Sequence, residues 1–452
     1  MGLSTEQTQD TIVAIATAPG RGAIALVRLS GADAFAIGKK HIDPWPAKAR
    51  ETHLCVVRNE GVILDHALVT VFPAPNSFTG QNTVEISTHG GQIVPVSVVS
   101  ALISSGARQA LPGEFTRRAI LSGKLDILQA EAIGDLIDAT SYSMQRVAVD
   151  QLEGGLSRRL LGLRSALIEL EALIAYDVDF PEEDDGPIQR ETITRNASSV
   201  IESIKQLLDT AATGELIREG ALVVIAGPPN AGKSSLFNAI VGKQRAIVTE
   251  IPGTTRDALE AMVENGNWPL RLVDTAGLRT TSDRLELLGI EVSERYLKNA
   301  EVILACCDPG QSLVETLSEI RQRSRAVILP VRTKTDLLTN SYQIGQDEIA
   351  VSAETGAGLT ALMQAVEHAL SARHGKQELD APVLTRVRHH RLLGVACTEL
   401  EEFVKTWEEK RLPATVAAVH LRSAVFSLEE MIGRIDVEDV LDRLFSAFCV
   451  GK

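Results

Sequence analysis

Aromatic residues make up only 4% of this 452-residue chain, and it has five cysteines. Cys55, Cys306, Cys307, Cys397 and Cys449 are scattered, show no zinc-ligand spacing and cannot all pair internally. This excludes a disulfide-stapled secreted scaffold and fits a reducing, cytoplasmic setting. No apolar run approaches the length that crosses a bilayer, so no membrane role is expected. The opening "MGLSTEQTQD" has neither a basic nor an apolar block, so no signal or transit peptide is expected. Positive charge is short as well: the formal net charge is −14. That balance argues against a surface that grips nucleic acid throughout and leaves room only for a local basic patch or a partner's surface.

The chain has 44% hydrophobic and 23% charged residues, a globular composition, and its length calls for two to four domains. Residues 10–110 read as β-rich, with strands in "TIVAIA", "AIALVRLSG", "HALVTVF" and "NTVEISTHGG". From about residue 120 the period becomes helical. Leu156, Leu160, Leu163, Leu167, Leu170 and Ile174 form the apolar seam of one long helix, which ends in "VDFPEEDDGP". Residues 220–370 alternate short apolar runs ("ALVVIAG", "PLRLVDTAG", "AEVILACCD", "RAVILPV", "EIAVSAE") with amphipathic stretches, the pattern of a mostly parallel α/β sheet. After about 380 the helical period returns. The economical arrangement is a helical domain interrupted by an inserted α/β domain.

"GPPNAGKSS" (Gly227 to Ser235) follows an apolar strand and opens an amphipathic stretch, the context that G-x-x-x-x-G-K-[ST] requires. Backbone amides of Asn230, Ala231, Gly232 and Ser235 are placed to surround phosphate oxygens. Lys233 reaches for the β- and γ-phosphates, and Ser234 offers a hydroxyl to magnesium. "PGTTRD", "DTAG", "TKTD" and "SAE" follow in order. Thr255 suits a second magnesium hydroxyl on a switch loop, and Asp274 is the magnesium-facing carboxylate, followed by Thr275, Ala276 and Gly277 at the γ-phosphate. Asp336 can accept two guanine N–H groups, which selects GTP over ATP. Thr333 and Lys334 precede it, and Ser352, Ala353 and Glu354 form the loop over the base. Together these motifs resemble the GTPases related to Ras and Era, with Thr333 standing where asparagine is usual. Leu278 occupies the position of the water-orienting glutamine and cannot replace it; Asp283 and Glu286 are the nearby carboxylates. Cys306 and Cys307, in an apolar strand, read as core.

The chain as a whole resembles the MnmE (TrmE) family of tRNA-modification GTPases. The order of "TIVAIATAPGRGAIALVRLSG", "SFTGQNTVEISTHGG", "EFTRRAILSGKLDILQAEAIGDLIDA", the inserted GTPase and the terminal "FCVGK" carries this likeness. The resemblance implies a fold of α/β and all-α parts: a β-rich folate-binding and dimerisation domain over 1–120, a helical domain over 121–215 and 377–452, and a Ras/Era-like domain over 216–376. It implies potassium activation, with Asn230, Thr249, Ile251 and Thr254 supplying oxygens to the ion, and it makes Glu286 the residue that orients water. It implies a 5-formyltetrahydrofolate-type donor held by Arg28, Glu85, Lys124 and Lys452, with Cys449 near the one-carbon unit. It further implies a homodimer, an MnmG-type flavin-dependent partner in a heterotetramer or larger complex, and tRNA as substrate. The family's "YTGED" is here "FTGQN", so two acids of that loop are absent. An Era/Der-like switch in ribosome assembly is the rival reading; it predicts a separate basic RNA-binding module, which the sequence lacks. "TRVRHHR" (Thr385 to Arg391) reads as a solvated helix face, and "PEEDDG" as a polar loop.

Overall fold

The computed structural model describes residues 10–179, 190–243, 259–266, 268–274, 294–338, 345, 347–375, 382–409, 414–433 and 451. The chain divides into two compact units. One comprises Met1–Gly134, Leu152–Ser165 and Arg422–Lys452; the other comprises Asp135–Gln151 and Ala166–Leu421. The architecture is multidomain, mixed α/β with many helices.

The first unit is built on a sheet of β1 (Ile12–Ile15), β2 (Ile24–Ser30), β3 (Ile42–Asp43), β4 (His53–Asn59), β5 (Val62–Phe72), β6 (Thr83–His89) and β7 (Arg108–Gln109), in the order β3-β4-β5-β6-β2-β1-β7. Only the β1–β7 pair is parallel. Alternation along β2 sends Val27 and Leu29 into the core with Ile86, Val69 and Val57, while Leu26 and Arg28 face the other way. Helices α1 (Ala34–His41) and α2 (Val94–Ser104) cover the core face. The sequence reading missed both. In α2 the run "VPVSVVSALIS" is rich in β-branched residues, yet Val98, Val99, Ala101 and Leu102 are buried at helical spacing and Pro95 sits in the first turn. Tertiary burial overrides the weak helix propensity there. Helix α3 (Glu114–Leu121) packs Phe115 on Ile12 and Ala14, on the opposite face of the sheet.

In the second unit the sheet order is β13-β12-β11-β8-β10-β9. Its strands are β8 (Ala221–Ala226), β9 (Leu259–Asn265), β10 (Trp268–Asp274), β11 (Val302–Cys307), β12 (Val327–Arg332) and β13 (Ile349–Ala350). All pairs are parallel except β9–β10. Every residue of β8 is buried. Ala221, Val223 and Ile225 enter one core, and Leu222, Val224 and Ala226 enter the core on the other face. Helices α9 (Lys233–Lys243), α10 (described over 294–299), α11 (Leu313–Arg323) and α12 (Leu359–His374) belong to this sheet. The antiparallel edge strand β9 also escaped the sequence reading. It alternates buried Ala261 and Val263 with Glu260, Met262 and Glu264.

The remaining helices are α4 (Ile127–Ile137), α5 (Tyr142–Leu152), α6 (Gly155–Asp179), α7 (Arg190–Asp209), α8 (Ala211–Glu219), α13 (Val387–Glu409) and α14 (Ala414–Ile432). The seam read in α6 is buried at all six positions. In the second unit, Asp135 on α4 accepts from Arg386 Nη2 at 2.7 Å and from Arg218 Nε at 3.4 Å. His389 is fully buried, whereas His390 and Arg391 are exposed. The basic run 385–391 is therefore part interior tie and part solvated face.

One buried charge cluster shapes the first unit. Glu114, 1% exposed, accepts from Arg108 Nη2 at 2.8 Å, from Arg118 Nη2 at 2.8 Å and from the Leu111 amide at 2.8 Å. Burial alone would raise its pKa; the hydrogen bonds from Arg108, Leu111 and Arg118, and the Arg118 charge, outweigh burial and hold it below the ordinary 4.5. A depressed folded value means that this contribution to stability is present above the ordinary carboxylate range and is lost as pH falls through the lowered value. Glu114→Gln strands buried Arg118 without its full counter-charge, and an urea titration should show a loss of about 3 kcal/mol at pH 7. The loss should shrink as pH drops below 4.5. An equal loss at every pH would show that the carboxylate's charge is not what stabilises this cluster.

Candidate nucleotide site and sheet-face site

At the end of β8 the chain turns through a loop, residues 227–232, into α9. Gly227 has φ +149°, and a Cβ there would lie 2.1 Å from the Cys306 carbonyl oxygen on β11, so any side chain would push the loop off the sheet. Asn230 (φ 60°) and Gly232 (φ 77°) take left-handed conformations that let the loop curl over the start of α9. Lys233, 7% exposed, donates from Nζ to the carbonyls of Gly227 at 3.0 Å and Pro228 at 2.8 Å. Ser234, the next residue, is exposed. Asp274 is fully buried at the carboxyl end of β10, paired in register with Ile225 of β8. β8 is flanked by β10 on one side and β11 on the other, so these residues gather at the carboxyl edge where the strand order reverses, the usual ligand position of open α/β sheets.

Beside the loop lies a cavity of about 580 Å³, walled by Gly232, Ser235, Asn238, Thr333, Lys334, Asp336, Ala353 and Glu354 among others. The Thr333 hydroxyl is 2.7 Å from the Ala231 carbonyl and 3.2 Å from that of Cys307, so it ties the loop to the end of β11. Lys334 (φ 52°) donates to the Asn230 carbonyl at 2.6 Å and to Asp308 Oδ2 at 3.2 Å. Asp336 accepts from the buried Ser352 hydroxyl at 2.6 Å, which fixes the orientation of its carboxylate. The structure thus brings Asn230 to Ser235, Asp274, Thr333 to Asp336 and Ser352 to Glu354 to one edge of one sheet. Thr249, Ile251, Thr254, Thr255, Thr275, Ala276, Gly277, Leu278, Asp283 and Glu286 lie outside the described residues, as does "PEEDDG".

The exposed Ser234 hydroxyl and the buried Asp274 carboxylate are hard oxygen donors that suit magnesium. No group of three or more His, Cys, Asp or Glu that could hold a metal occurs among the described residues. Two residues missed in the sequence shape this site. Gln311 Nε2 donates to the Pro229 carbonyl at 2.9 Å. Arg332, 4% exposed, grips Glu348 through Nε at 2.9 Å and Nη2 at 3.1 Å, and holds the carbonyls of Asp308 and Gln311. No fixed motif spacing marks either of them. Cys306 and Cys307 are fully buried, and burial pushes both thiols up, in keeping with a core role.

The second site lies on the face of the first unit's sheet that α1 and α2 leave open. Arg28 on β2 stands directly opposite Glu85 on β6 and meets Oε1 through Nε at 2.9 Å and Nη2 at 2.8 Å. Its guanidinium lies 5.3 Å from the Phe78 ring centroid and 5.6 Å from that of Phe115. Lys124 follows α3, with its stem near Gly80. Gly451 is buried with φ +106°, and a Cβ on it would come within 2.2 Å of the Ile15 carbonyl. Ile15 and Ala14 of β1 pair with Val27 and Arg28 of β2, so Gly451 docks against β1, the neighbour of the strand that carries Arg28. Cys449 and Lys452 lie outside the described residues.

Thr333→Val tests the nucleotide site without changing side-chain volume much. It leaves the Ala231 carbonyl without its hydroxyl donor, and affinity for a fluorescent GDP analogue should fall about tenfold, roughly 1.4 kcal/mol. Unchanged affinity would mean that the loop keeps its shape without this tie.

Comparison with known proteins joins the two sites in one family. Residues 11–124 match the family described as GTP-binding protein TrmE N-terminus, and residues 127–449 match the MnmE helical domain. The tRNA modification GTPase MnmE of Aquifex aeolicus is 40% identical, with 98% of this chain and 100% of that protein covered. The protein of the same name from Moorella thermoacetica is 38% identical over 98% and 99% of the two chains. Among solved structures, the G domain of the T. maritima FeoB iron transporter matches 33% of this chain and 98% of its own at 24% identity, with a TM-score of 0.27, a likeness on which nothing below rests. Identity over nearly the full length of the relatives and a match to both family regions place the chain in the MnmE (TrmE) family of tRNA-modification GTPases.

Proposed function

We propose that this chain is a potassium-activated GTP hydrolase. With an MnmG-type flavin-dependent partner, it forms an aminomethyl or carboxymethylaminomethyl group on carbon 5 of the wobble uridine of certain tRNAs, using a tetrahydrofolate one-carbon donor. The reading is carried by the cavity in which Asp336, Ser352 and Lys334 meet Gly232 and Ser235 of the phosphate loop. A carboxylate fixed by Ser352 can accept both N–H groups of guanine; adenine offers no such pair and would leave it unmatched. Lys233 now holds two loop carbonyls, and in the bound state its ammonium turns to β- and γ-phosphate oxygens. Ser234, Asp274 and Thr255 are the proposed magnesium ligands; the bound ion neutralises charge on those oxygens.

Because Leu278 carries no polar group, Glu286 is assigned to orient the attacking water. The Asn230 side chain, with oxygens from Thr249, Ile251 and Thr254, holds potassium where an arginine finger would otherwise put its charge. The Lys334 ammonium holds the Asn230 carbonyl at 2.6 Å, which supports this assignment. On the sheet face, Glu85 receives the amide and amino edge of the pterin, and Arg28, Lys124 and Lys452 meet the folate's polar and anionic parts. Cys449 stands near the one-carbon unit. The docking of Gly451 against β1, the neighbour of Arg28's strand, supports a tail that reaches this pocket. The division into 1–120, 121–215, 216–376 and 377–452, and a homodimer joined to the partner and working on tRNA in the cytoplasm, complete the proposal. Among the described residues no helix is long and apolar enough to cross a membrane.

Steady-state GTP hydrolysis in potassium chloride and in sodium chloride at equal ionic strength tests the reading. Stimulation by potassium of tenfold or more, lost in both Asn230→Ala and Glu286→Ala, is the expected result. Equal slow turnover in both salts would remove the potassium site and leave a switch GTPase that awaits an outside activator.

A further inference from the structure

The Thr333 hydroxyl carries a single proton, and two backbone carbonyls lie within its reach. Thr333 is 3% exposed, with Oγ1 2.7 Å from the Ala231 carbonyl and 3.2 Å from that of Cys307. The Cys307 carbonyl already receives the Thr333 amide at 2.9 Å. The shorter contact to the other acceptor therefore takes the proton, and Thr333 donates to Ala231. Neither carbonyl can donate in return. Towards the cavity that it lines, Thr333 has only oxygen lone pairs to offer. Turning the hydroxyl to a ligand would strip the phosphate loop of this tie and leave a carbonyl beside a buried side chain without its donor.

The other contacts of the site say which ligand atom this concerns. A guanine whose N1–H and N2–H groups meet Asp336, with its ribose led to the phosphate loop, has two edges left: N3 on one, O6 and N7 on the other. Thr333 links the strand end that leads to Asp336 with Ala231 of the loop, and N7 likewise lies between the N1 end of the ring and the sugar. The remaining lining side chains with N–H or O–H groups are Ser235, Asn238 and Lys334. The Lys334 ammonium is held by the Asn230 carbonyl and Asp308. Ser235 and Asn238 stand on α9, which opens directly from the phosphate loop and flanks the sugar and phosphates.

We infer that this chain reads guanine without a side-chain donor to N7, because the proton of Thr333 that could serve N7 holds the phosphate loop instead. A guanine nucleotide with C–H in place of N7 is then bound as tightly as the natural one. Recognition falls to the N1–H and N2–H edge at Asp336. The inference rests on the GTP reading of this cavity and narrows it to the atoms that are recognised.

Competition of GDP, 7-deaza-GDP and ADP against a fluorescent GDP analogue, with the full-length protein, tests it. 7-Deaza-GDP should bind within about twofold of GDP, and ADP about a hundredfold or more weakly. Thr333→Asn supplies a carboxamide with two N–H groups, enough for Ala231 and N7 together, and should open a gap of about fivefold in favour of GDP. Thr333→Ser keeps the hydroxyl and should keep the two ligands equal. A wild-type gap of about fivefold or more shows that N7 meets a donor and overturns the inference alone. No gap in a Thr333→Asn protein of unchanged thermal midpoint overturns it too, since position 333 would then not face N7. ADP binding as tight as GDP binding overturns the guanine reading and this inference together.

Discussion

The nucleotide site depends on one constraint: the backbone of residues 227–232 must lie against the ends of β11 and β12 with nothing between. At Gly227 even a methyl group would collide with the Cys306 carbonyl. Three ties from other segments then hold the loop in place: the Thr333 hydroxyl on Ala231, the Lys334 ammonium on Asn230 and the Gln311 carboxamide on Pro229. Each uses a loop carbonyl as acceptor, so none of the three occupies a loop amide, although the Ala231 amide itself donates to the Pro228 carbonyl at 3.4 Å. The loop is thus shaped before any ligand arrives, and little ordering has to be done on binding. Arg332 adds a second tier, because it fixes the Asp308–Gln311 segment from which one of those ties comes.

The sheet of the first unit applies the same economy differently. Strand register alone sets Arg28 against Glu85, since residues directly opposite in an antiparallel pair share a face. Phe78 and Phe115 then limit the guanidinium's movement from either side. The chain end is brought to the neighbouring strand by a contact that only glycine permits, at Gly451.

Much of this was legible in the sequence because it is written in local order. The phosphate-loop glycines, the aspartate at the end of an apolar strand and the leucine seam of α6 each depend on residues within a few turns or one strand. What was missed depends on partners far along the chain. α2 reads as strand-like because valines dominate it, and only the sheet it covers makes it helical. Gln311 and Arg332 look like ordinary polar residues until the fold places a loop carbonyl 82 residues away against one of them. The run 385–391 looked like a solvated face; Asp135, some 250 residues earlier, claims Arg386 instead.

That last case bears on how an acidic chain could serve in RNA modification. The sequence holds 59 acidic and 45 basic side chains. Arg118, Arg332 and Arg386 are tied to Glu114, Glu348 and Asp135 inside the fold. Each such pair removes one charge of either sign from the surface, so the net charge is unchanged while the exposed remainder becomes proportionally more acidic. Binding tRNA through counterion release needs several exposed cations aligned with phosphates. In the densest basic run, His389 is buried, Arg386 is half-buried against Asp135, and His390 and Arg391 remain exposed. Among the described residues that run therefore does not by itself supply such a surface.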